Sequence, residues 1–582
     1  MKTSPWLRNL AMLGTCLSIV SNLHAVNTWK NAPDGTFAWD GFNWDSPLSW
    51  VDGDDAIFGP AGIGAITLGI PVIAHNLTFN SPGYSIVGST LTLDGASPTI
   101  TANENVTISS SIAGGSGLTL QGGSNLTLQG VNTYTNGTYV KSGTLILKTL
   151  LGVNGTTAYT VDRIEAIDSG ALVQIGTFSD GITNIRPADG VIVRRSSPDA
   201  PTSGRLNLTG GTFDNNGDNN GIQYPPPTGT GTILNSSPYI RGVIKLVGID
   251  GHTYAWDGQI KDGGPLAQTA LGVAYQQNVD MQGGSYTYLI GGSNSFTGFW
   301  RFSSGNQKVI MQPGGTLGYP TPIFCPARQI LMNSGTLDLN GTSQKVGYVF
   351  TGNDSNSKIT NGAIGTVSTL TVCFNCTNQL PFNGAATPRG IRSSLLDNPA
   401  TGGTLALTKE GTAIQPIGNY AGDGSPAPNN YHGDTTVNNG ILQVLSIGGI
   451  SSNSVYRLNT TQGTLQLAYT GIADVKGLVI DGVAKPNGIY GSSTAPITGT
   501  GFLRVSNDRF LITQVVKNPN FDQLTITWDS LPGLTYTVQY STDLGVTWFT
   551  QDGGSNVPSQ GNSTMFNIDF SESGFIYRVF KR

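Results

Sequence analysis

The stretch Gly117 to Leu147, GLTLQGGSNLTLQGVNTYTNGTYVKSGTLIL, decides the fold of this 582-residue chain. Its apolar residues come in alternating pairs, Leu118 with Leu120, Leu126 with Leu128 and Leu145 with Leu147, and clusters of Gly, Asn and Ser interrupt them. Alternation puts both members of a pair on one face of an extended strand, and the clusters mark corners. No segment is long enough to bury that face alone, so each strand needs similar strands stacked above and below it. A coil of strands provides that arrangement. The expected fold class is all-β: a right-handed parallel β-helix with a small C-terminal antiparallel β-sandwich.

The same residues resemble the autotransporter-associated β-strand repeat of bacterial surface proteins. The likeness is carried by Gly117, Leu118 and Thr119, then Leu126, Thr127, Leu128, Gly130, Asn132, Thr133, Tyr134, Thr135, Gly137, Thr138, Val140, Gly143, Thr144 and Leu145. This resemblance implies a β-helical, passenger-like protein that is displayed at the cell surface or released. It implies no particular activity, because one fold hosts many functions.

Composition agrees with an elongated architecture. Eighty glycines and only 11 % charged residues would indicate disorder in a polar chain, but 38 % of the residues are apolar, many in alternating runs. The glycines then read as corners. A net charge of −5 and the lack of a basic run argue against nucleic acid or an anionic membrane as partner.

Lys2 and Arg8 precede an apolar run from Leu10 to Val20, and Leu23-His24-Ala25 offers a cleavage site, so residues 1–25 read as a secretory signal peptide. The alternative, a lipoprotein signal through Leu13-Gly14-Thr15-Cys16, has a poorly fitting Thr before the Cys. No other segment reaches the ~18 apolar residues that a membrane helix needs. Residues 26–65 read as an N-terminal cap, because Trp29, Trp39, Trp44 and Trp50 crowd ahead of Phe58 where an open first rung needs covering. The rival reading of these tryptophans is a sugar-stacking platform. Asp52, Asp54 and Asp55 are weighed as calcium ligands against a solvated turn, and the turn is preferred.

Residues 66–505 are assigned to the β-helix. Regular alternation runs from Ile66 to Ile112, partial echoes recur at Gly210 to Asn220, Asn294 to Gly298 and Ser334 to Asn340, and a second copy of the repeat begins at Thr404 and ends at Val444. That copy is interrupted between Ile417 and Tyr431, where Pro426 and Pro428 predict a loop leaving the stack. At ~20 to 25 residues per turn the span predicts about 18 to 22 turns and a rod roughly 90 to 100 Å long. The stack is expected to close over Gly477 to Gly491 and a final strand ending at Val505. Residues 506–582 change texture to longer strands and loosely resemble a small fibronectin type III-like sandwich, with Trp528, Tyr536, Tyr540, Trp548 and Tyr577 expected in its core. No succession of ~10-residue amphipathic strands suited to a membrane barrel follows Val505, which leaves the export route open.

No catalytic, cofactor-binding or metal-binding residue is assigned. Cys373 and Cys376 have CxxC spacing, but one such pair cannot complete a zinc site, and in an exported chain a disulfide among Cys325, Cys373 and Cys376 is the default, with the pairing open. His75, His252 and His432 lie far apart and read as corner or surface residues. The best enzymatic candidate is the charge-rich segment Asp162 to Arg205, with Arg163, Glu165, Asp168, Arg186, Arg194, Arg195 and Asp199. Strand alternation would put Asp162 and Asp168 on one face and Arg163 and Glu165 on the other, so a solvated segment with ion pairs is preferred. The Asn/Asp run Asp214 to Asn220 fails calcium-loop spacing and reads as a turn capping its own backbone. The leading functional expectation is an exported, non-catalytic surface or adhesin-like protein whose partners are extracellular glycans or cell-surface proteins. The alternatives are a β-helical polysaccharide lyase or glycoside hydrolase, and a glycan-binding module acting through the tryptophans or the sandwich. Carboxylates converging with Arg in one groove would favour the enzyme, and ladders of Thr, Ser and Asn the stalk.

Overall fold

The computed structural model describes residues 24–30, 37–45, 49–147, 164–175, 177–179, 185–187, 206–217, 223–224, 226–238, 240–269, 272–303, 306–318, 330–351, 357–373, 390–392, 395–398, 402–418, 429–505, 512–518, 523–530, 533–543, 547–561, 563–569 and 576–581. The signal-peptide reading of residues 1–25 falls almost wholly outside them. Within the signature stretch, Leu118–Gln121 lies on a first sheet and Asn125–Leu128 on a second. After a corner through Asn132 and Tyr134 the chain returns to the first sheet at Thr138–Val140 and to the second at Thr144–Leu147. Leu118 pairs with Thr138 and Leu126 with Leu145, both in parallel. The six leucines of the alternating pairs are at most 1 % exposed, so the residues paired by the sequence pattern all point inward.

A third sheet closes the coil. It begins with Val72–Ala74, Leu91–Leu93 and Ile112–Ala113, and further along contains Gly242–Val247, Gln277–Gln282, Trp300–Phe302, Ile330–Met332 and Val349–Thr351. Side chains one turn apart meet directly: Asn103 donates to Asn80 across 23 residues and Ser109 to Gln129 across 20. Other turns carry insertions, as where Gln174 donates to Asp214 across 40 residues. The architecture is therefore a parallel β-helix. On the second sheet nine strands stack in order, a pair continues them and six more parallel strands follow, making seventeen described rungs. That is fewer than the 18 to 22 turns expected, because insertions consume chain without adding height. At ~4.8 Å per rung it corresponds to roughly 80 Å.

The repeat motif has a physical job. Asn132 accepts the Ile112 amide of the preceding turn at 2.8 Å, while Tyr134 is 1 % exposed and its hydroxyl meets the Thr138 hydroxyl at 2.6 Å. In the second copy Asn429 accepts the Leu395 amide at 3.0 Å, and Tyr431 meets Thr435 at 2.7 Å. The echo at Asn294 keeps half of this: Asn294 accepts the Ile260 amide at 2.8 Å, and Phe296 is fully buried in the position of the tyrosine. The Asn thus ties one turn to the next, and the ring fills the corner. The Pro426 and Pro428 loop of the second copy lies outside the described residues.

Close stacking of corners explains part of the glycine content. Gly122 has φ +106°, and a Cβ there would stand 2.2 Å from the Ala102 carbonyl oxygen of the turn beneath. Gly122→Ala should therefore lower stability in urea by about 1–3 kcal/mol. Gly170→Ala, with φ +84° but open space around the new methyl group, should cost about 1 kcal/mol. Equal midpoints for the two variants would contradict this account.

Both ends of the stack are covered. Val26–Trp29 and Asp55–Phe58 are themselves the first two strands of the first sheet, and the intervening chain folds over the open edges. Lys30 N donates to Asn43 O and Asp45 N to Thr28 O, while Trp39 N donates to Thr67 O on the second sheet. On the third sheet Gly53 N and the Trp50 indole both donate to Ile73 O. Trp29, Trp39 and Trp44 are at most 1 % exposed, which removes the sugar-platform reading for these three. The far end closes by reversal of direction: Val483–Ala484 pairs antiparallel with Gly477–Ile480, and Gly488–Tyr490 with Phe502–Val505.

One apolar core runs from Trp29 to Val505 and a second from Leu524 to Val579. The second lies between two antiparallel sheets, one formed by Ile512–Lys517, Gln523–Asp529 and Ser563–Asp569, the other centred on Thr535–Ser541. Trp528 and Tyr536 are fully buried in it. Tyr577 is half-buried and packs against this core, whereas Tyr540 and Trp548 are half-buried outside it, contrary to expectation, and the Arg578 guanidinium lies 4.0 Å from the centre of the Trp548 ring. A guanidinium over the ring face serves that indole without burial in the core. Asp474, which holds Arg504 through both carboxylate oxygens at 2.6 and 3.0 Å, also faces Lys581 of the sandwich at 3.8 Å.

Candidate ligand-binding surface

Most of the segment Asp162 to Arg205 lies outside the described residues, including Asp162, Arg163, Arg194, Arg195, Asp199 and Arg205. Arg186 belongs to a short strand, Ile185–Pro187, paired antiparallel with Thr177–Ser179. Glu165 and Asp168 belong to the first sheet, but strict alternation fails here. A bulge shifts the register between Thr138 and Tyr139, so Ile164 and Ile167 both point inward. Asp168 accepts from the Thr209 hydroxyl at 2.6 Å.

The N-terminal acids are not simply solvated. Asp52 accepts the Ile73 amide at 3.0 Å, Asp54 accepts the Ala25 amide and the Asn27 side chain, and Asp55 accepts the Asn76 amide and faces His75 Nδ1 at 2.9 Å. They hold the first rungs in register. Asp214 behaves as the sequence implied, accepting the amide of Asn216 two residues on, and it also accepts the Ser236 amide one turn away. His252 Nδ1 lies 3.2 Å from Asp250 O at a corner, and exposed His432 faces Asp397 at 2.6 Å. Cys325 and Cys376 lie outside the described residues. Cys373 is buried, donates to Val346 O at 3.2 Å, and has its thiol pushed up to about 11 by burial. Among the described residues no three His, Cys, Asp or Glu side chains converge as a metal site.

The outward rows differ from sheet to sheet. On the second sheet Ser85, Thr107 and Thr127 stand in register, and further along Thr371, Thr408 and Thr436 do so between Lys345 and Arg457. The first sheet carries Thr78, Thr101 and Gln121, the last donating to Thr101 at 3.0 Å. These are uncharged ledges one rung apart.

The third sheet carries charge. Ile244 and Leu246, Val279 and Met281, and Trp300 and Phe302 point into the core, so Lys245, Asp280 and Arg301 point outward on adjacent strands and in register. Leu331 and Phe350 extend the same row and pack with Tyr348 and Ala413 in a small outer apolar cluster. Asp280 is fully buried by its partners: Arg301 donates to it, and so do Ser303 and Gln282 at 2.5 Å. That hydrogen bond is the main reason the Arg301 guanidinium is held above its ordinary value. Arg241 shares the outward parity of Lys245. Burial around its guanidinium, and then the Arg301 charge, lower its pKa although the residue as a whole is exposed. The combination of carboxylate and Arg weighed for an enzyme is thus present in minimal form, with a carboxylate already engaged by three donors. Sequence reading passed over this row because Asp280 hides between Val279 and Met281 in an otherwise ordinary strand; its only signal is the run of polar residues alternating with Val279 and Met281.

No protein-family model matches the chain. No solved structure matches it significantly. It is similar to the adhesin BmaC autotransporter of Brucella suis biovar 1 (strain 1330), with 28 % identity over 485 residues, covering 77 % of this chain and 12 % of that protein. The stacked rungs make the chain a parallel β-helical repeat protein, and with the Asn/Tyr/Thr motif on two of them it is similar to an autotransporter adhesin over most of its own length.

Proposed function

We propose that this chain is an exported, adhesin-like surface protein that binds extracellular glycans or cell-surface proteins without turning them over, its β-helix acting as a stiff stalk. The observation that carries the reading is the similarity to an autotransporter adhesin over most of the chain. The uncharged Thr and Ser ledges add a physical reason: repeated hydroxyls at rung spacing offer many weak polar contacts along one column. In this reading residues 1–25 are removed on export and residues 26–65 cap a stalk that ends at 505 and bears the sandwich of residues 506–582. Mass analysis of the chain recovered outside the cell should give a first residue of Val26, and a retained N-terminus would contradict the export step.

A glycan array with the full chain, compared with one ending before Ser506, tests the binding reading. Binding without release of reducing ends is expected. Release of reducing ends or unsaturated products would instead establish the β-helical lyase or hydrolase.

A further inference from the structure

We propose that the outward row of the third sheet around Arg241, Lys245 and Arg301 is a binding site for an acidic polysaccharide, one whose sugars carry carboxylates. The proposal rests on the adhesin-like reading and names a ligand class and a place for it.

Lys245 and Arg301 flank the Asp280 carboxylate on adjacent strands, and Arg241 precedes Lys245 with the same outward parity, in a chain whose overall charge is −5. Asp280 neutralises Arg301, leaving Arg241 and Lys245 in excess. Neither makes an ion pair or hydrogen bond with the described residues, and the Arg301 charge repels Arg241. Arg301 Nε is buried and has no hydrogen-bond partner. Cations on one face of a sheet, without an anion of their own, lower their mutual repulsion when a carboxylate arrives from solution.

The surroundings select the kind of anion. Gly242–Val247 is paired along its length by Gln277–Gln282 and, at Lys245 and Leu246, by Gln223–Tyr224, so at Lys245 no free strand edge is offered to a peptide backbone. Recognition must come from side chains standing on the sheet. Next to the cations the row turns apolar: Arg301 lies over the half-buried Phe299 ring at 5.5 Å, and Leu331 and Phe350 follow in register, Phe350 being buried against Tyr348 and Ala413. A cation beside one partly open aromatic ring fits a polymer that presents carboxylates and the C–H faces of sugar rings in turn.

The test uses the purified full chain and immobilised polygalacturonate, with dextran as the neutral control and polyglutamate as the peptide control. The structure predicts binding to polygalacturonate that weakens as salt rises, little binding to dextran, and at least about fivefold weaker binding after joint Arg241→Gln and Lys245→Gln substitution. Arg241→Glu should weaken it further. Asp280 and Arg301 are left intact, so the melting temperature should not move and the loss can be read as binding. Unchanged affinity in the double variant would overturn the site. Polyglutamate binding as tightly as polygalacturonate would overturn the ligand class. If neutral glycans bind and the variants make no difference, the site fails while the adhesin-like reading stands; if neither glycans nor surface proteins bind, that reading fails with it.

Discussion

Lys409→Met should be among the most destabilising single substitutions in the β-helix, lowering stability by about 3–5 kcal/mol. Lys409 ends the strand Thr404–Lys409, yet its residue is only 1 % exposed. Its ammonium group donates to Glu410 O at 2.6 Å, Gly411 O at 2.7 Å and Asn439 O at 3.0 Å. Three hydrogens meet three carbonyls, two from the corner of its own turn and one from the corner of the next. Methionine fills the volume but leaves all three acceptors without a donor, and a Cβ on the adjacent Gly440 would stand only 2.8 Å from the ammonium, so there is little room for water to replace it. Urea unfolding of the two proteins checks the magnitude. A difference below about 1 kcal/mol would mean that the carbonyls re-solvate freely.

The same residue gives a pH signature. Burial lowers the Lys409 pKa to about 8, well below the ~10.4 of an unfolded lysine. As pH rises above about 8 the folded chain gives up this proton while the unfolded chain keeps it. The unfolded state then binds more protons, and stability increases with pH until the unfolded lysine has also given up its proton, above about 10.5. Other groups titrate in this range, so the quantity to measure is the stability difference between the parent chain and Lys409→Met. It should be constant below pH 8 and widen between pH 8 and 10.5.

Lys409 also shows where sequence reading reaches its limit. The pair Leu405 and Leu407 is legible as an inward face because apolar side chains need no further partner, and both are fully buried. The next inward position is Lys409, whose burial depends on carbonyls supplied by a corner thirty residues away. Pattern alone assigns such a lysine to solvent. The Thr ladders and the leucine pairs were readable for the same reason in reverse: each rung repeats the chemistry of its neighbour, so local alternation carries the global arrangement. Glu165 lost its expected face to a one-residue bulge, which alternation cannot foresee. The charged row at Lys245, Asp280 and Arg301 was illegible because its members are separated by 35 and 21 residues through turns of unequal length, and only the register brings them side by side.

The N-terminal tryptophans offer the second large effect. Trp44→Ala should cost about 3–5 kcal/mol, and the loss should be local. The Trp44 ring lies 5.2 Å from Trp29, 5.0 Å from Trp39, 4.6 Å from Trp50 and 5.9 Å from Phe58, centre to centre, and its indole donates to Trp39 O at 2.8 Å. This cluster presses residues 37–45 onto the edges of Val26–Trp29 and Ala65–Leu68, where Asp45 N meets Thr28 O and Thr67 N meets Phe37 O. Without the ring the covering segment lifts, and two parallel strands present unpaired amides and carbonyls to solvent. A stack whose rungs contact only their neighbours lets the first turns fray while the rest stands, and a bare edge recruits other chains. Hydrogen exchange should therefore accelerate at Thr28 and Thr67 but not at Thr408 or Leu465, and light scattering should show association that grows with protein concentration. Uniform acceleration along the whole chain, or a monomer at every concentration, would show that the tryptophans do no more than fill the core.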